Sequence, residues 1–292
     1  MSNDKVTVLD IQQAKKDGRK LVMVTAYDYP FGLMADEAGV DIVLVGDSLG
    51  MVVMGLNGTV EVNMEHMIHH IKAVVRGCKR PLVIGDMPFM SYNTSSRDAI
   101  INAGRLVKEG GCDVVKLEGG IDFGSTIEAI VKAGIPVQGH IGLTPQTASA
   151  LGGFKMQGKD AKAAKRIIDD AKALEDAGVF SMILEAVPAP LGRLVAEVVS
   201  VPVIGIGAGV DVDGQVLVTH DMVGLFDKFV PKFVKQYTNI RETILNALNA
   251  YRDDVMSATF PGSEHSFKMT DEALEQLKKL IKRKIRFITN SL

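Results

Sequence analysis

The sequence predicts an α/β protein built as a (β/α)8 TIM barrel with a C-terminal helical extension. Three observations predict it. First, short runs rich in Val, Ile and Leu alternate with longer stretches of helical period, the order of a parallel sheet wrapped by helices. Second, one junction phrase recurs, a small residue, a glycine, an apolar residue and then a strand. It reads Ala38-Gly39-Val40, Gly110-Gly111-Cys112, Ala133-Gly134-Ile135 and Ala177-Gly178-Val179, and so regular a repeat favours a closed ring of about eight units. Third, five successive strands end on a charged or titratable residue, always at the end where such a barrel keeps its chemistry.

The elements follow in order. Residues 21–28 read as the first strand and 30–38 as a helix stopped by Gly39, the left-handed residue that helix ends favour. The second strand is 41–48, and the helix 64–76 stops at Gly77. The third strand, 81–88, leads through a polar loop of Ser91, Asn93 and Thr94 to a helix at 96–108 that ends before Gly110-Gly111. Residues 113–118 form strand four. A helix at 126–133, a strand at 135–140, a long helix at 161–177, a strand at 180–185, a short helix at 191–199 and a strand at 202–207 continue the pattern. A candidate eighth strand, 215–221, closes it.

Beyond the ring, 239–254 reads as helix and 260–266 as a turn-rich loop. A separate amphipathic helix starts at Thr270, a good N-cap, with Asp271 and Glu272 in its first turn. Leu274, Leu277, Ile281, Ile285 and Ile288 make one apolar stripe, and Lys278, Lys279, Lys282, Arg283, Lys284 and Arg286 load the rest with positive charge. The barrel is placed at 1–267. The helix at 268–292 is not an independent domain and is expected to pack on the barrel or on a neighbouring subunit.

The 292 residues are 47% hydrophobic and 23% charged, ordinary globular material. A net charge of −2 and a pI near 6.3 lack the basic footprint of a nucleic-acid binder. No apolar run is long enough to span a membrane, and the first residues carry no secretory pattern. Cys78 and Cys112, the only cysteines, give neither metal spacing nor a disulfide framework. A reduced, cytoplasmic protein is the expectation.

The chemistry collects where the strands end. In strand four Lys116 and Glu118 stand two residues apart, so both point to one face. Charges inside a sheet are costly unless paired or holding an ion. They are either a private ion pair or a metal ligand beside an anion-binding lysine. Strand two ends in Asp47-Ser48, strand three in Asp86, strand five in His140 and strand six in Glu185. Asp47, Asp86 and Glu118 are hard oxygen donors, which favours Mg²⁺ or Mn²⁺ over zinc. Lys116 offsets part of their charge. A 2-oxo acid offers such an ion its carboxylate and carbonyl oxygens, and the ion then stabilises the neighbouring enolate as a Lewis acid. Glu185 is the candidate base. His140 either orients substrate or satisfies a rim hydrogen bond. The run Gly205-Ile206-Gly207-Ala208-Gly209 lacks dinucleotide spacing and permits close approach of a bulky ligand or a turn. His66, His69 and His70 read as a solvated helix face.

Several long motifs stand together in one order: Val45-Gly46-Asp47-Ser48-Leu49-Gly50-Met51-Val52, Asp86-Met87-Pro88-Phe89-Met90-Ser91-Tyr92, Lys116-Leu117-Glu118-Gly119-Gly120, Gly139-His140-Ile141-Gly142-Leu143-Thr144-Pro145-Gln146 and Ile204-Gly205-Ile206-Gly207-Ala208-Gly209. From about Val8 to Phe267 the chain resembles the ketopantoate hydroxymethyltransferases. The resemblance implies one Mg²⁺ per subunit at Asp47, Asp86 and Glu118. It further implies an oxo-acid site at Asp47, Ser48, Asp86 and Lys116, and Glu185 as proton acceptor. The implied reaction moves a hydroxymethyl group from 5,10-methylenetetrahydrofolate to 3-methyl-2-oxobutanoate through a Mg-stabilised enolate, giving 2-dehydropantoate and tetrahydrofolate for pantothenate and coenzyme A. Implied partners are the oxo acid and the folate, with no nucleic acid or membrane, and with further copies of the chain in a homo-oligomer, a decamer in the family. Leu56, where relatives often carry a polar or aromatic residue, and the helix beyond Phe267 depart from the family pattern. Two rival readings share these residues. One is a Mg-dependent lyase or mutase of the phosphoenolpyruvate mutase–isocitrate lyase type, although its Lys-Lys-Cys-Gly-His-like segment is missing. The other is a non-catalytic barrel that binds partners.

Overall fold

The structure, a computed structural model, describes residues 4–150 and 152–289, with side chains as far as residue 281. Eight parallel strands form a closed barrel in chain order: β1 (Leu21–Thr25), β2 (Ile42–Val45), β3 (Leu82–Asp86), β4 (Val114–Glu118), β5 (Val137–Gly142), β6 (Ser181–Glu185), β7 (Val203–Ile206) and β8 (Gly214–Leu217). The ring shuts where β8 pairs with β1, Leu21 opposite Gly214 and Val24 opposite Leu217. This is the (β/α)8 barrel that the alternating pattern predicts.

Successive strand side chains point to opposite faces, so each strand serves two cores. Leu21, Met23, Ile42, Leu44, Leu82, Ile84, Val114, Ile183 and Ile204 fill the lumen. Their sequence neighbours Val43, Val45, Val83, Val115 and Leu117 face the helical layer. There they meet Met67, Ile71 and Val74 of α4 (Met64–Gly77), and Ala171 and Leu174 of α7 (Ala161–Asp176). The remaining crossover helices are α2 (Tyr29–Glu37), α5 (Ser96–Arg105), α6 (Gly124–Lys132) and α8 (Ala189–Val198), and a short α3 (Leu49–Val52) follows β2.

A helix that the sequence reading did not place, α1 (Val8–Lys16), precedes the first strand. Thr7 caps it and makes a reciprocal box with Asp10. Ile11 and Ala14 are buried with the first residues of β1, β3 and β4, so α1 plugs the N-terminal end of the barrel. A charge pattern fixes the plug. Asp41, Asp113 and Asp213 stand just before β2, β4 and β8, and each accepts a backbone N–H from an adjacent strand: Val22, Val83 and Val203. Each is also paired with a basic residue of the N-terminal segment: Arg19 at 3.0 Å, Lys5 at 2.7 Å and Lys15 at 2.9 Å.

Two expectations are corrected. The eighth strand stops at Leu217, not 221, and Thr219–Met222 turns into a short helix, α9. Thr219 donates from its hydroxyl to Thr25 O and from its backbone to Thr25 Oγ1, so the chain bends once pairing with β1 is complete. The helix expected at 96–108 runs on as a widened turn, Leu106–Gly110, closed by Gly111 in the left-handed conformation. The chain divides into two compact units, Met1–Thr238 and Asn239–Leu292, whereas the sequence sets the end of the barrel at 267. The second unit holds α10 (Ile240–Met256) and α11 (Asp271–Thr289), with Thr270 Oγ1 accepting from Ala273 N at the start of α11. The expectations for the side chains of Lys282, Arg283, Lys284, Ile285, Arg286 and Ile288 lie outside the described residues. Among the described residues no helix is long and apolar enough to cross a membrane.

Candidate active site

Register assembles the site. Asp86 on β3 lies opposite Lys116 on β4, Glu118 opposite His140 on β5, and Gly142 opposite Glu185 on β6. By strand alternation Asp86, Lys116, Glu118 and Glu185 share the lumen side with Ile84, Val114 and Ile183 below them. Asp47 and Ser48 arrive from the turn between β2 and α3. All seven sequence-predicted residues, Asp47, Ser48, Asp86, Lys116, Glu118, His140 and Glu185, line one cavity of about 160 Å³ at the C-terminal end of the strands. Gly142 matters to this register. Its φ is +91°, and a Cβ there would strike the Glu185 carbonyl oxygen, so only glycine lets β5 and β6 approach where Glu185 is presented.

The polar groups form one connected cluster. Lys116 Nζ lies 2.8 Å from Asp86 Oδ1, 3.8 Å from Glu118 Oε1 and 3.4 Å from His140 Nδ1. His140 spans two carboxylates, with Nδ1 3.3 Å from Glu118 Oε1 and Nε2 3.2 Å from Glu185 Oε2. Asp86 Oδ2 accepts from Asp47 N at 3.1 Å, and Ser48 Oγ shares a 2.8 Å hydrogen bond with Tyr27 OH. Lys116 therefore belongs to a shared network, neither a private pair nor an isolated anion receptor.

Electrostatics follow from this crowding. Burial lifts the Asp47 carboxyl well above its usual range, Asp86 and Glu118 add to the shift, and Lys116 and Gln146 oppose it. Burial likewise raises Asp86 although Lys116 pulls against it. Burial acts in the same sense on Glu118, but the hydrogen bond and charge of His140, with Lys116, hold it below its ordinary value. For Lys116 burial favours the neutral amine, yet Asp86, Glu118 and Asp47 outweigh it and keep the ammonium. Burial and Lys116 work to lower His140, and its contacts with Glu118 and Glu185 prevail, raising it to about 9.

The donor set fits a hard divalent cation. Asp47 and Asp86 cannot comfortably ionise together against Lys116 alone, and buried Asp86 Oδ1 has no aligned hydrogen bond. An ion of charge two with a preference for oxygen would relieve both conditions. Among the described residues no three acidic, histidine or cysteine side chains already stand as a closed metal cage. Lys116 lies among them.

Sequence reasoning missed two residues that set these carboxylates. Gln146, buried in the loop after β5, donates from Nε2 to Asp47 Oδ2 at 2.8 Å and to Met87 O at 3.0 Å, and its backbone N–H donates to Glu118 Oε2. Tyr92 donates to Gln146 Oε1 at 2.6 Å and accepts from Glu118 N. Both close motifs quoted above, but nothing in a strand pattern says that a loop glutamine will fold back onto an aspartate 99 residues away. Of the three histidines on α4, His66 closes the helix cap with Asn63 and His70 contacts Tyr27 O at 2.6 Å, so only His69 is on an exposed face.

Asp221 on α9 also went unread. It is buried, lines the same cavity, and its Oδ1 has no partner among the described residues. Burial pushes its carboxyl up to about 6. The folded state therefore holds this proton more tightly than the unfolded state. The contribution of Asp221 to stability is most favourable below about pH 4 and declines as pH rises to about 6, where it levels off. Discounted for solvent reaching the cavity, the charged form costs about 2 kcal/mol at neutral pH. Asp221→Asn is expected to raise the melting temperature at about pH 7.5 and to leave it unchanged near pH 4. Equal gains at both pH values would rule out the buried charge as the cause.

Comparison with known proteins shows the family. Residues 5–263 match the ketopantoate hydroxymethyltransferase family. A 3-methyl-2-oxobutanoate hydroxymethyltransferase of Carboxydothermus hydrogenoformans is 54% identical over 94% of this chain and 99% of its own. One of Moorella thermoacetica is 58% identical over 90% and 98%. Solved structures extend the likeness of fold. A phosphonopyruvate hydrolase covers 97% of this chain and 98% of its own at a TM-score of 0.60 and 12% identity. A 2,3-dimethylmalate lyase, a PEP mutase/isocitrate lyase superfamily member, covers 98% of each chain at 0.53 and 12%. So the rival lyases share the fold, while the high identities lie with the hydroxymethyltransferases. The chain belongs to the ketopantoate hydroxymethyltransferase family of transferase enzymes.

Proposed function

We propose that the enzyme moves a hydroxymethyl group from 5,10-methylenetetrahydrofolate to 3-methyl-2-oxobutanoate, giving 2-dehydropantoate and tetrahydrofolate, in cytoplasmic synthesis of pantothenate and coenzyme A. The supporting observation is three carboxylates, a charged lysine and Glu185 around one cavity, in a chain 54–58% identical to transferases of that name. The atoms balance with one water. C3 of the oxo acid gives up its proton and bonds to the methylene carbon, and both bonds from that carbon to folate nitrogens break. Water supplies the new hydroxyl. The C3 proton and the second water proton finish on the two nitrogens of tetrahydrofolate.

Asp47, Asp86 and Glu118 would hold one Mg²⁺ per subunit. When bound, the ion supplies Lewis-acid charge at the oxo acid's carbonyl, where negative charge gathers as C3 is deprotonated. Asp47, Ser48, Asp86 and Lys116 make the seat of the oxo acid, the Lys116 ammonium offering its charge to the substrate carboxylate. Glu185 takes the C3 proton. His140, with Nδ1 toward Glu118 and Nε2 toward Glu185, would orient the base at the edge of the oxo-acid seat. Assembly as a homo-oligomer, with the helix at 268–292 serving association and not chemistry, belongs to the same reading.

The test is an assay with the oxo acid and methylenetetrahydrofolate, with and without Mg²⁺. Chelation is expected to lower turnover at least about a hundredfold and added Mg²⁺ to restore it, in line with the several kcal/mol a Lewis acid contributes. Undiminished turnover after chelation would refute the metal role.

A further inference from the structure

A second cavity of about 700 Å³ opens beside the first. The two share Phe154, Glu185, Phe229, Pro231 and Phe233, so the candidate base sits where they meet. The volumes differ in kind. About 160 Å³ suits a small oxo acid, whereas the second cavity lies within the range of about 300–1,000 Å³ that accepts larger organic ligands. The second is lined by chemistry of its own. Phe154 and Phe229 are 52% and 60% exposed, and large apolar side chains left open around a cavity mark a binding surface. Phe233 lies over Gly207, where φ is +67° and a Cβ would sit 2.6 Å from the ring. Glycine there gives the aromatic a flat bed at the end of β7. Lys155 and Lys232 line the same cavity, are exposed, and have no ion pair among the described residues.

The floor is set by the backbone that leaves Glu185. Ala186 takes a left-handed φ of 50°, its N–H donates to Ile206 O, and its carbonyl accepts from Gln157 N. The loop that carries Phe154 and Lys155 is thus tied to the residue after the base. Non-glycine left-handed backbone persists only where its surroundings over-determine it, and such positions gather at functional sites.

Aromatic faces, two unpaired cations and access to the deprotonated carbon describe one class of ligand, a flat heterocycle with an anionic tail. Resting on the transfer reaction proposed above, we infer that this second cavity seats the one-carbon donor. Phe154, Phe229 and Phe233 hold the reduced pterin and its benzoyl ring by stacking, and Lys155 and Lys232 meet the carboxylates of its glutamate tail. The methylene carbon then faces Glu185 and the C3 atom of the oxo acid from the side opposite the metal ligands.

Steady-state kinetics on the full-length enzyme test this, varying donor and oxo acid separately. Lys155→Ala/Lys232→Ala, a change at two exposed positions, is expected to raise KM for methylenetetrahydrofolate about tenfold while KM for 3-methyl-2-oxobutanoate moves less than about twofold. Phe229→Ala is expected to raise KM for the donor in the same selective way. Added salt should weaken donor binding in the wild type and much less in the double variant, because the tail contacts are ionic. Donor KM within twofold of wild type in both variants overturns the site, as does a change in assembly with donor KM untouched. If the wild-type enzyme transfers no carbon between these substrates, the reaction itself falls and this site with it. Transfer by the wild type with unselective variants removes the site alone.

Discussion

Glu185→Gln is expected to leave the enzyme folded and to stop proton removal from the oxo acid. With Mg²⁺ present and no folate, deuterium from solvent should enter C3 of 3-methyl-2-oxobutanoate in the wild type, and NMR can follow it. In the variant the rate should fall about a hundredfold to ten-thousandfold, the usual contribution of a placed general base. The amide keeps the size of the side chain and stays beside His140 Nε2, which lies 3.2 Å from Glu185 Oε2 in the wild type, so binding of the oxo acid should persist. Transfer should decline in parallel with exchange, since carbon–carbon bond formation needs the same deprotonated carbon. Exchange at the wild-type rate in Glu185→Gln would show that another group does this work. Asp221, a buried carboxyl raised to about 6 in the same cavity, would be the next residue to examine.

The second large effect concerns stability. Lys116 is buried against Asp86 and Glu118. Lys116→Met keeps much of its stem and removes the charge. Breaking a buried pair from one side leaves uncompensated charge and costs about 3–5 kcal/mol. Denaturation in chelator should reveal a loss of that size at neutral pH. The loss should shrink as pH falls, because Asp47 and Asp86 already lean toward protonation and a protonated carboxyl no longer needs the ammonium. Magnesium should also raise the melting temperature more in the variant than in the wild type, since removal of Lys116 leaves the three carboxylates more negative. A variant as stable as the wild type across the pH range would mean that the cluster is solvated and carries little strain.

The sequence made the outer plan legible because barrel strands are apolar on both faces and stop abruptly. Where an apolar run gives way to Asp86 or Glu185, the strand leaves the lumen and reaches the rim, and composition alone records that change. The eighth strand was harder. Val216-Leu217-Val218 runs on into Thr219 without a breaker, and only the hydrogen bonds to Thr25 on β1 bend the chain there. Gln146, Tyr92 and Asp221 were illegible for the same reason. The groups that surround each of them come from other elements, and no local spacing encodes the meeting. The second cavity is assembled by loops and strand ends distant in sequence, Phe154 and Lys155 with Lys232 and Phe233, so no window of sequence contains it.

The plug at the opposite end of the barrel has a practical consequence. Its pairs, Arg19–Asp41, Lys5–Asp113 and Lys15–Asp213, stand at the far mouth from Glu185 and the carboxylate cluster. The plug therefore adds stability at a pole that carries none of the carboxylate cluster. An engineer can harden the base against heat, by adding ion pairs or tightening the contacts of Ile11, without retuning substrate choice at the crown.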